Sequence, residues 1–365
     1  MATVEVSKFH LVPELLQLVF KFGLGAALCL AASAGPVHSA SVKRLRIAQI
    51  EGDFYRSVTS HCVAALSESA RGRGVTIDVI DRYRDDFKNT PKETANIYVL
   101  PSVVNLTALR PPGFDALDEV AIFSNPSHVA NFLQSNYYKT SIASVEFTGL
   151  FRSKVVGYAY GSTSQLFTAD APIMTPADLS GRTMIGSFRA WWYAALREKL
   201  NIGHDPILGH TQNVIAKQRE AVIRATNKRR KDAVFILMPI LMAQGTVPPE
   251  LRQYISLTMS HTMLVDLEAN NWFDLDDEGK RIVQVIVDDA IVKCSEQNFA
   301  AEKKALEALA ASGSTVVPVD IEPFQALSKD KFAKRRVEAK AEDNKSLLET
   351  LDEQQSAYDA IQRLN

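Results

Sequence analysis

Apolar and polar positions alternate with two different periods along the first hundred residues. Residues 44–50 alternate from one position to the next, as in a β-strand, and residues 75–80 and 95–100 repeat that pattern. Between the first two, residues 54–72 place apolar side chains at helical spacing. Strands and helices that alternate in this way predict a parallel sheet with helices packed on it.

The second half of the chain alternates in the same way. Thr175 and Pro176 begin a short capped turn. Strand and helix patterns follow one another on both sides of this turn, with strands predicted at 154–160, 165–168, 183–187 and 233–237 and helices at 189–200 and about 211–227. We therefore predict an α/β fold over the whole body of the chain.

One late element is unusually long. Asp276 is a suitable N-cap, and the chain then continues without proline to Ser312, just before Gly313. A helix of about 36 residues measures roughly 54 Å, whereas a lobe of ~130 residues is only about 28–35 Å across. The helix must therefore lie along more than one lobe, unless it breaks near residues 295–298. Residues 328–365 are charged and weakly amphipathic, and either pack as terminal helices or stay mobile.

The N-terminal region has the pattern of a secretory signal peptide. Lys21 precedes an apolar run at residues 22–34, and small residues follow it, so cleavage is expected near residues 34–40. The alternative is an uncleaved anchor over residues 15–34, which the charge of Lys21 and the amide of Gln17 disfavour. No apolar run of membrane-spanning length follows residue 40, so we expect a periplasmic protein.

Composition and motifs exclude several classes of function. The chain has 41 basic and 42 acidic residues and a net charge of −1, so it lacks the basic excess typical of nucleic-acid binding. Zinc-ligand spacing, a Walker A sequence, a nucleophile elbow and a dinucleotide fingerprint are all missing from the sequence. Missing motifs do not exclude an enzyme, but they argue against one, and we expect neither enzymatic activity nor a metal or cofactor.

Cys62 and Cys294 are the two cysteines after residue 40, and they lie far apart in the chain. Exported proteins can hold disulfides, but this separation carries no pairing signal. We interpret the two residues as separate buried thiols, with a disulfide as the alternative.

Residues 172–181 read Pro-Ile-Met-Thr-Pro-Ala-Asp-Leu-Ser-Gly, and four further segments, at 157–168, 254–261, 271–278 and 316–324, accompany them in order. Together these segments resemble the solute receptors of tripartite ATP-independent periplasmic (TRAP) transporters, of the dicarboxylate-receptor type. That family has Pro-Ile-x-Thr-Pro-x-Asp-Leu-x-Gly at the first position and Trp-Trp-x-x-Leu-x-x-Glu before its long helix. The resemblance covers about residues 44–330.

The resemblance implies a type II periplasmic-binding-protein fold with two α/β lobes, crossover strands and a long bridging helix. We place the first part of lobe 1 at residues 41–160, lobe 2 at 161–258 and the segment that returns to lobe 1 at 259–275. The long helix is placed at 276–312, and a last strand and tail at 313–365. A receptor of this family captures a small organic acid in the cleft, closes by a hinge motion and delivers the acid to a membrane permease. We expect a monomer.

Two other functions stay open on the same fold. One is a periplasmic sensor that presents its solute to a membrane receptor kinase, and the other is an exported enzyme. A fold by itself does not decide between them.

The sequence departs from the family at its usual carboxylate site. The arginine that clamps the ligand in the family corresponds to Ile185, and another ligand position of the family corresponds to Ser164. Arg189, four residues further on, is the candidate replacement for the clamp. Either the ligand differs from that of the family, or the receptor has diverged beyond transport.

Further ligand-binding candidates follow from their positions. Most are aromatic or polar residues at predicted strand ends or next to Arg189, namely Trp191, Trp192, Tyr158, Tyr160, Ser164, Phe54, Asn105 and His261. Tyr158 and Tyr160 alternate on one strand and share a face. For each of these side chains the competing interpretation is packing, which is favoured for Phe54 and His261.

The signal-peptide interpretation predicts the N-terminus of the native protein. Periplasmic material should lack residues 1 to about 40, because signal peptidase cleaves after small residues at the end of the apolar run. Mass spectrometry of the intact protein measures this, and periplasmic protein that retains Met1 would contradict the cleavage.

Overall fold

The computed structural model describes residues 42–49, 53–80, 93–101, 116–117, 119, 121–144, 153–186, 200–206, 232–237 and 254–365. The strands within these ranges are β1 Arg44–Gln49, β2 Thr76–Ile80, β3 Thr94–Pro101, β4 Lys154–Thr168, β5 Thr183–Gly186, β6 Gly203–Pro206, β7 Asp232–Leu237, β8 Tyr254–Ala269 and β9 Thr315–Pro318. The α-helices are α1 Asp53–Arg71, α2 Pro126–Gln134, α3 Asn136–Ser144, α4 Asp277–Ala311, α5 Glu322–Ala341 and α6 Lys345–Gln362.

All of these strands belong to one sheet, in the order β2-β1-β3-β8-β4-β7-β5-β6, with β9 also paired to β8. At one end β1 runs parallel to β2 and β3, and at the other end β5 runs parallel to β6 and β7. The long strands β4 and β8 are antiparallel to each other and join the two parallel groups. The sheet thus consists of two halves connected by a two-stranded ribbon.

Each half of the sheet has its own hydrophobic core. The core of the first lobe collects residues of β1, β3, α1, α2, α4 and α6, such as Leu45, Ile97 and Val287. The core of the second lobe is smaller and includes Leu166 and Met184. This is the two-lobe α/β architecture expected from the sequence, and it confirms the predicted fold class.

The long helix predicted over residues 276–312 is α4, which runs without a break from Asp277 to Ala311. The Asp276 side chain caps it by accepting a 2.7 Å hydrogen bond from the Gly279 amide. Its first half packs in the core of the first lobe, and its end leads directly into β9, which pairs with β8 in the second lobe. The tail forms α5 and α6, whose buried apolar side chains Phe332, Leu351, Tyr358 and Ile361 join the first core.

Side chains of α4 hydrogen-bond the backbone of β4 where β7 does not reach it. Gln284 donates to the Val156 carbonyl at 3.0 Å. Ser295 accepts from the Tyr160 amide at 3.0 Å, and Asn298 donates to the Tyr160 carbonyl at 2.8 Å. Because β7 pairs only with residues 164–168 of β4, α4 takes the place of a neighbouring strand along the preceding residues.

The interpretation of the two cysteines as separate thiols is wrong, because Cys62 of α1 and Cys294 of α4 form a disulfide. Both residues are fully buried in the first core, where the two helices pack against each other. Next to the disulfide, the Nδ1 atom of His61 lies 2.7 Å from the Oδ1 atom of Asn298. The disulfide therefore fixes α1 against the helix that supports β4.

Loss of the disulfide is expected to lower the free energy of unfolding by about 2–4 kcal/mol, because the unfolded chain regains the freedom of a long closed loop. Urea unfolding of the double variant Cys62→Ala/Cys294→Ala measures this. Each single variant should lose as much as the double variant, since either one removes the bond. Equal stability of the variants and the oxidised wild type would contradict a structural disulfide.

Candidate functional site at the strand crossover

The parallel strands of both lobes end at the same short stretch of the β4–β8 ribbon. In the first lobe, Pro101 at the end of β3 stands opposite Val265, and β1 and β2 run in the same direction as β3. In the second lobe, Leu237 at the end of β7 stands opposite Ser164, which itself faces His261 across the ribbon. Open α/β sheets bind ligands outside the carboxyl ends of their strands, so this point is the candidate site.

We call residues 160–166 of β4 and 256–265 of β8 the crossover. Pairing is irregular here, because Ser164 faces His261 whereas Leu166 faces Ser256. Over this interval β8 advances by more residues than β4, and Met259 adopts a left-handed backbone with φ of 47°. The crossover is therefore a local departure from a regular two-stranded ribbon.

Gly161 permits the close approach of the two strands at this point. A Cβ atom at residue 161 would lie 2.9 Å from the Met263 carbonyl oxygen, which is closer than real Cβ atoms approach backbone. Only glycine therefore fits between β4 and β8 here.

A buried carboxylate on α4 holds the crossover from one side. Glu302 is only 7% exposed, and it accepts hydrogen bonds from the Tyr160 hydroxyl at 2.6 Å and the Ser162 hydroxyl at 3.2 Å. The amide of Thr163 donates to it at 3.1 Å, and the Thr163 hydroxyl donates to its other oxygen. These donors compensate the cost of removing the carboxylate from water.

Gln165 extends this network across the ribbon. Its Nε2 atom donates to the Thr163 hydroxyl oxygen at 2.7 Å, and its Oε1 atom accepts from the Met259 amide at 3.2 Å. A continuous series of hydrogen bonds thus joins α4, β4 and the irregular part of β8.

Two further hydroxyl residues lie in the paired strands of the crossover. The hydroxyls of the successive residues Ser162 and Thr163 both reach Glu302, so the alternation of a regular strand does not assign Ser164 to a face here. Ser164 is 4% exposed and stands opposite His261 in the register. Thr262, also buried, stands opposite Thr163 in the register, and its hydroxyl has no hydrogen-bond partner among the described residues. Ser164 stays a candidate ligand contact, and Thr262 is one that sequence reasoning missed.

The two candidate tyrosines of β4 are both buried in the core of the first lobe. The Tyr160 ring stacks on Phe299 at 3.8 Å between centroids. Burial, followed by the charge of Glu302, raises the pKa of Tyr160 well above its usual value, so its hydroxyl is a neutral donor. These contacts give Tyr160 a structural role, and ligand contact by either tyrosine stays a prediction.

The remaining candidates are described in part or lie outside the described residues. Arg189, Trp191, Trp192 and Asn105 lie outside them. For Phe54 and His261 the backbone is described, in the first turn of α1 and in β8 respectively. The functional assignments of all six therefore stay predictions.

The clamp position itself is occupied by a buried apolar side chain. Ile185 is 1% exposed and lies in β5 between β6 and β7. Arg182, at the start of β5, is bound by the Asp170 carboxylate at 2.7 Å and by the Asp178 carbonyl at 2.8 Å. Arg182 therefore lies at the end of β5 away from the crossover and does not replace the clamp.

Sequence reasoning also missed the residues of α4 that serve the crossover. A signal for them exists, because Ser295, Asn298 and Glu302 recur at intervals of three and four and so share one helix face. Polar residues on a helix are usually solvated, so the spacing alone does not indicate burial.

Within the described ranges, no cluster of three or more His, Cys, Asp or Glu side chains is arranged to hold a metal ion. None of the helices described there has the length and apolarity needed to cross a bilayer.

Two lobes joined by crossover strands and a shared long helix are the two-lobe fold seen in solved periplasmic solute-binding proteins. Solved structures with this architecture include TRAP periplasmic solute-binding proteins. One from Ochrobactrum anthropi has 13% identity and a TM-score of 0.62, with 89% of this chain and 98% of that chain covered. The resemblance noted in the sequence is thus confirmed at the level of the fold.

Two further TRAP periplasmic solute-binding proteins were solved with ligands. One from a Polaromonas species is bound to D-erythronate, with 13% identity, a TM-score of 0.58 and coverage of 88% of this chain and 98% of that chain. One from Roseobacter denitrificans carries β-D-glucuronate, with 16% identity, a TM-score of 0.57 and coverage of 84% and 98%. The sequence matches no model of a known protein family and none of the curated proteins.

A second buried carboxyl group lies in the first lobe, on β8. Glu268 is fully buried and accepts a 2.9 Å hydrogen bond from the Ser153 hydroxyl, while its Oε1 atom has no partner within the part of the chain that the structure describes. Burial raises the pKa of Glu268 from 4.5 to about 7, against the opposing effect of Ser153. The folded protein therefore retains a proton on Glu268 at pH values where the unfolded chain has lost it.

This carboxyl group is expected to make stability fall as the pH rises. Between about pH 4.5 and 7 the unfolded state binds fewer protons, so the free energy of unfolding decreases and then levels off above pH 7. The total loss is on the order of 3 kcal/mol. In Glu268→Gln, urea unfolding from pH 4.5 to 8 should lack this decrease, whereas the exposed control Glu307→Gln should retain it. Parallel curves for wild type and Glu268→Gln would contradict the assignment.

Proposed function

We propose that this protein is an extracytoplasmic solute receptor of a TRAP-type transporter. It captures a small carboxylate-bearing solute in the cleft between its lobes and delivers the solute to membrane permease subunits. It acts in the periplasm by binding, without catalysis or a cofactor. The single observation that carries the proposal is the convergence of the parallel strands of both lobes on the crossover.

The architecture of the crossover supports a binding role. Its α4 face is closed by Glu302 and its donors, which are committed to one another. Ser164 and Thr262 lie in the same stretch of the ribbon, and the buried Thr262 hydroxyl has no hydrogen-bond partner among the described residues. Small hydroxyl groups at converging strand ends suit a polyhydroxylated solute, because they both donate and accept hydrogen bonds.

The solute class follows from the similar structures and from the chemistry of the clamp. D-Erythronate and β-D-glucuronate, the ligands of two of the similar proteins, are both hydroxylated carboxylates. Ile185 offers no charge to such a ligand, and Arg182 is bound by Asp170. In the proposal Arg189 supplies the guanidinium, with Trp191 or Trp192 beside it, and two parallel hydrogen bonds hold the carboxylate.

A thermal-shift screen with matched pairs tests the solute class. D-Glucuronate is compared with D-glucose, and D-erythronate with erythritol, so that each pair differs in the carboxylate. Binding to the folded state alone raises its stability, by about 2.7 kcal/mol at 100 times the dissociation constant. Acids should raise the melting temperature and neutral partners should not. A shift with the neutral partners alone would contradict a carboxylate receptor.

Replacement of the proposed clamp is expected to weaken binding strongly. Loss of a charge-assisted hydrogen-bonded pair costs about 1.5–3 kcal/mol, so Arg189→Ala should bind the tightest acid of the screen about 10- to 150-fold more weakly. Arg189→Lys should restore little, because an ammonium cannot form the planar pair of bonds. Isothermal titration measures both. Unchanged affinity in Arg189→Ala would remove the clamp and favour a ligand held by Ser164 and the aromatic residues.

A further inference from the structure

We propose that Glu302 is a positioning residue for the movement of the two lobes. Its charge sets the direction of the hydrogen bonds that pass through Thr163 and Gln165 to Met259, and these bonds hold the irregular part of β8 in place. We call Glu302, Thr163, Gln165 and Met259 the relay. The relay rests on the proposed function in one respect, namely that movement of the lobes serves solute capture. It involves no residue that we expect to touch the solute.

The relay begins at a group with a fixed role. A carboxylate accepts hydrogen bonds and has none to donate. The Thr163 amide is an obligatory donor and lies 3.1 Å from the Glu302 Oε2 atom, and the Tyr160 hydroxyl lies 2.6 Å from the same atom. The Thr163 hydroxyl must therefore point its only proton at the remaining oxygen, Oε1.

The direction then passes to Gln165. Since the Thr163 hydroxyl proton is directed at Glu302, its oxygen is left to accept, and the amide nitrogen of Gln165 donates to it at 2.7 Å. This orients the other end of the amide, Oε1, toward the backbone N–H of Met259 at 3.2 Å. An amide turned the other way would place its NH2 group against the Met259 N–H, where two donors would meet.

The end point of the relay is the place where the ribbon departs from regular pairing. Between the pairs Ser164–His261 and Leu166–Ser256, β8 contains more residues than β4, so its backbone there lacks a regular partner on β4. Met259, inside this interval, has a left-handed backbone, and Gln165 of β4 satisfies its amide. This interval lies where the two cores meet, because Met259 belongs to the first core and Leu166, opposite Ser256, belongs to the second.

Hinge motions are absorbed by a few residues that take up large backbone changes. The β8 interval is a candidate for such a point, because its pairing with β4 is irregular and Met259 has a left-handed backbone. In the network described above, Gln165 connects this interval to β4. Because Glu302 fixes the orientation of Gln165 through Thr163, a group on α4 controls the geometry of the connection between the lobes.

The consequence of neutralising Glu302 follows from the donors around it. In Glu302→Gln, an NH2 group at the Oε2 position would face the Thr163 amide and the Tyr160 hydroxyl, which are donors. An NH2 group at the Oε1 position would donate to the Thr163 hydroxyl and turn its proton toward Gln165. Either arrangement breaks one part of the relay, although the side chain keeps its size.

Distances between spin labels on the two lobes test the relay without any ligand. Nitroxides at Met174→Cys in the second lobe and Val337→Cys on α5, which are 40% and 69% exposed in the native protein, report the separation by pulsed dipolar spectroscopy. Glu302→Gln, Thr163→Val and Gln165→Met should broaden or shift the distance distribution relative to the labelled wild type. Thr163→Ser, which keeps the hydroxyl, and the exposed Glu307→Gln on the same helix should leave it unchanged.

Binding supplies the second readout. For the tightest acid of the matched-pair screen, Thr163→Val and Glu302→Gln should each lower affinity about tenfold, the effect of one hydrogen bond. Melting temperatures identify a variant that merely fails to fold. Thr163→Val is expected to fold, because it leaves three hydrogen-bond donors on Glu302, so the relay can still be tested if Glu302→Gln does not fold.

The outcomes separate the relay from the proposed function. Unaltered distance distributions in folded Thr163→Val and Glu302→Gln would overturn the relay, even if the wild type binds an acid. A shift in these variants that Glu307→Gln reproduces would overturn it as well. If no acid binds the wild type, the proposed function fails, and the ligand-free distances still decide the relay.

Discussion

The arrangement depends on how the backbone of β4 is satisfied between the two lobes. This strand has β8 on one side throughout, but on the other side β7 reaches only its last residues. Buried N–H and C=O groups without partners are costly, so the preceding stretch requires another source of hydrogen bonds. The side chains of α4 supply it, from Gln284 at Val156 to Glu302 at Thr163. The helix is therefore long because it must follow β4 from one lobe to the edge of the other.

This constraint explains why polar residues lie on the buried face of α4. Ser295, Asn298 and Glu302 would destabilise an ordinary packed helix, whereas here each pairs with a backbone group or a hydroxyl of β4. The disulfide between Cys62 and Cys294 and the contact of His61 with Asn298 hold α1 against the same helix. Helix, strand and disulfide thus form one rigid support, and the irregular interval of β8 lies just beyond it.

Much of the fold could be predicted from the sequence, because its signals are local. The alternation of β1 and β3 and the caps at Asp276 and Ser312 of α4 predict elements that the structure contains. The pairing of Cys62 with Cys294 could not be predicted, since it depends on the packing of α1 against α4. The same holds for Glu302, because a glutamate in a helix is ordinarily solvated and only the position of β4 explains its burial. Tyr160 was a candidate for ligand binding because of its position on a strand, whereas its hydroxyl donates to Glu302, which lies far away in the sequence.

The path of the chain through the first lobe has a consequence for the order of folding. This lobe joins β1 and β3, near the beginning of the chain, to β8 and α4, which are made late, and the disulfide of Cys62 cannot form before Cys294 is made. Contacts between such distant segments form slowly, because the intervening chain must first be brought together. β1, β2 and β3 can pair with one another early, but β3 stays without its other neighbour, β8, until most of the polypeptide has been delivered. If the chain is exported unfolded, as the proposed function requires, this delay is favourable, because the first lobe would close only after translocation is almost complete.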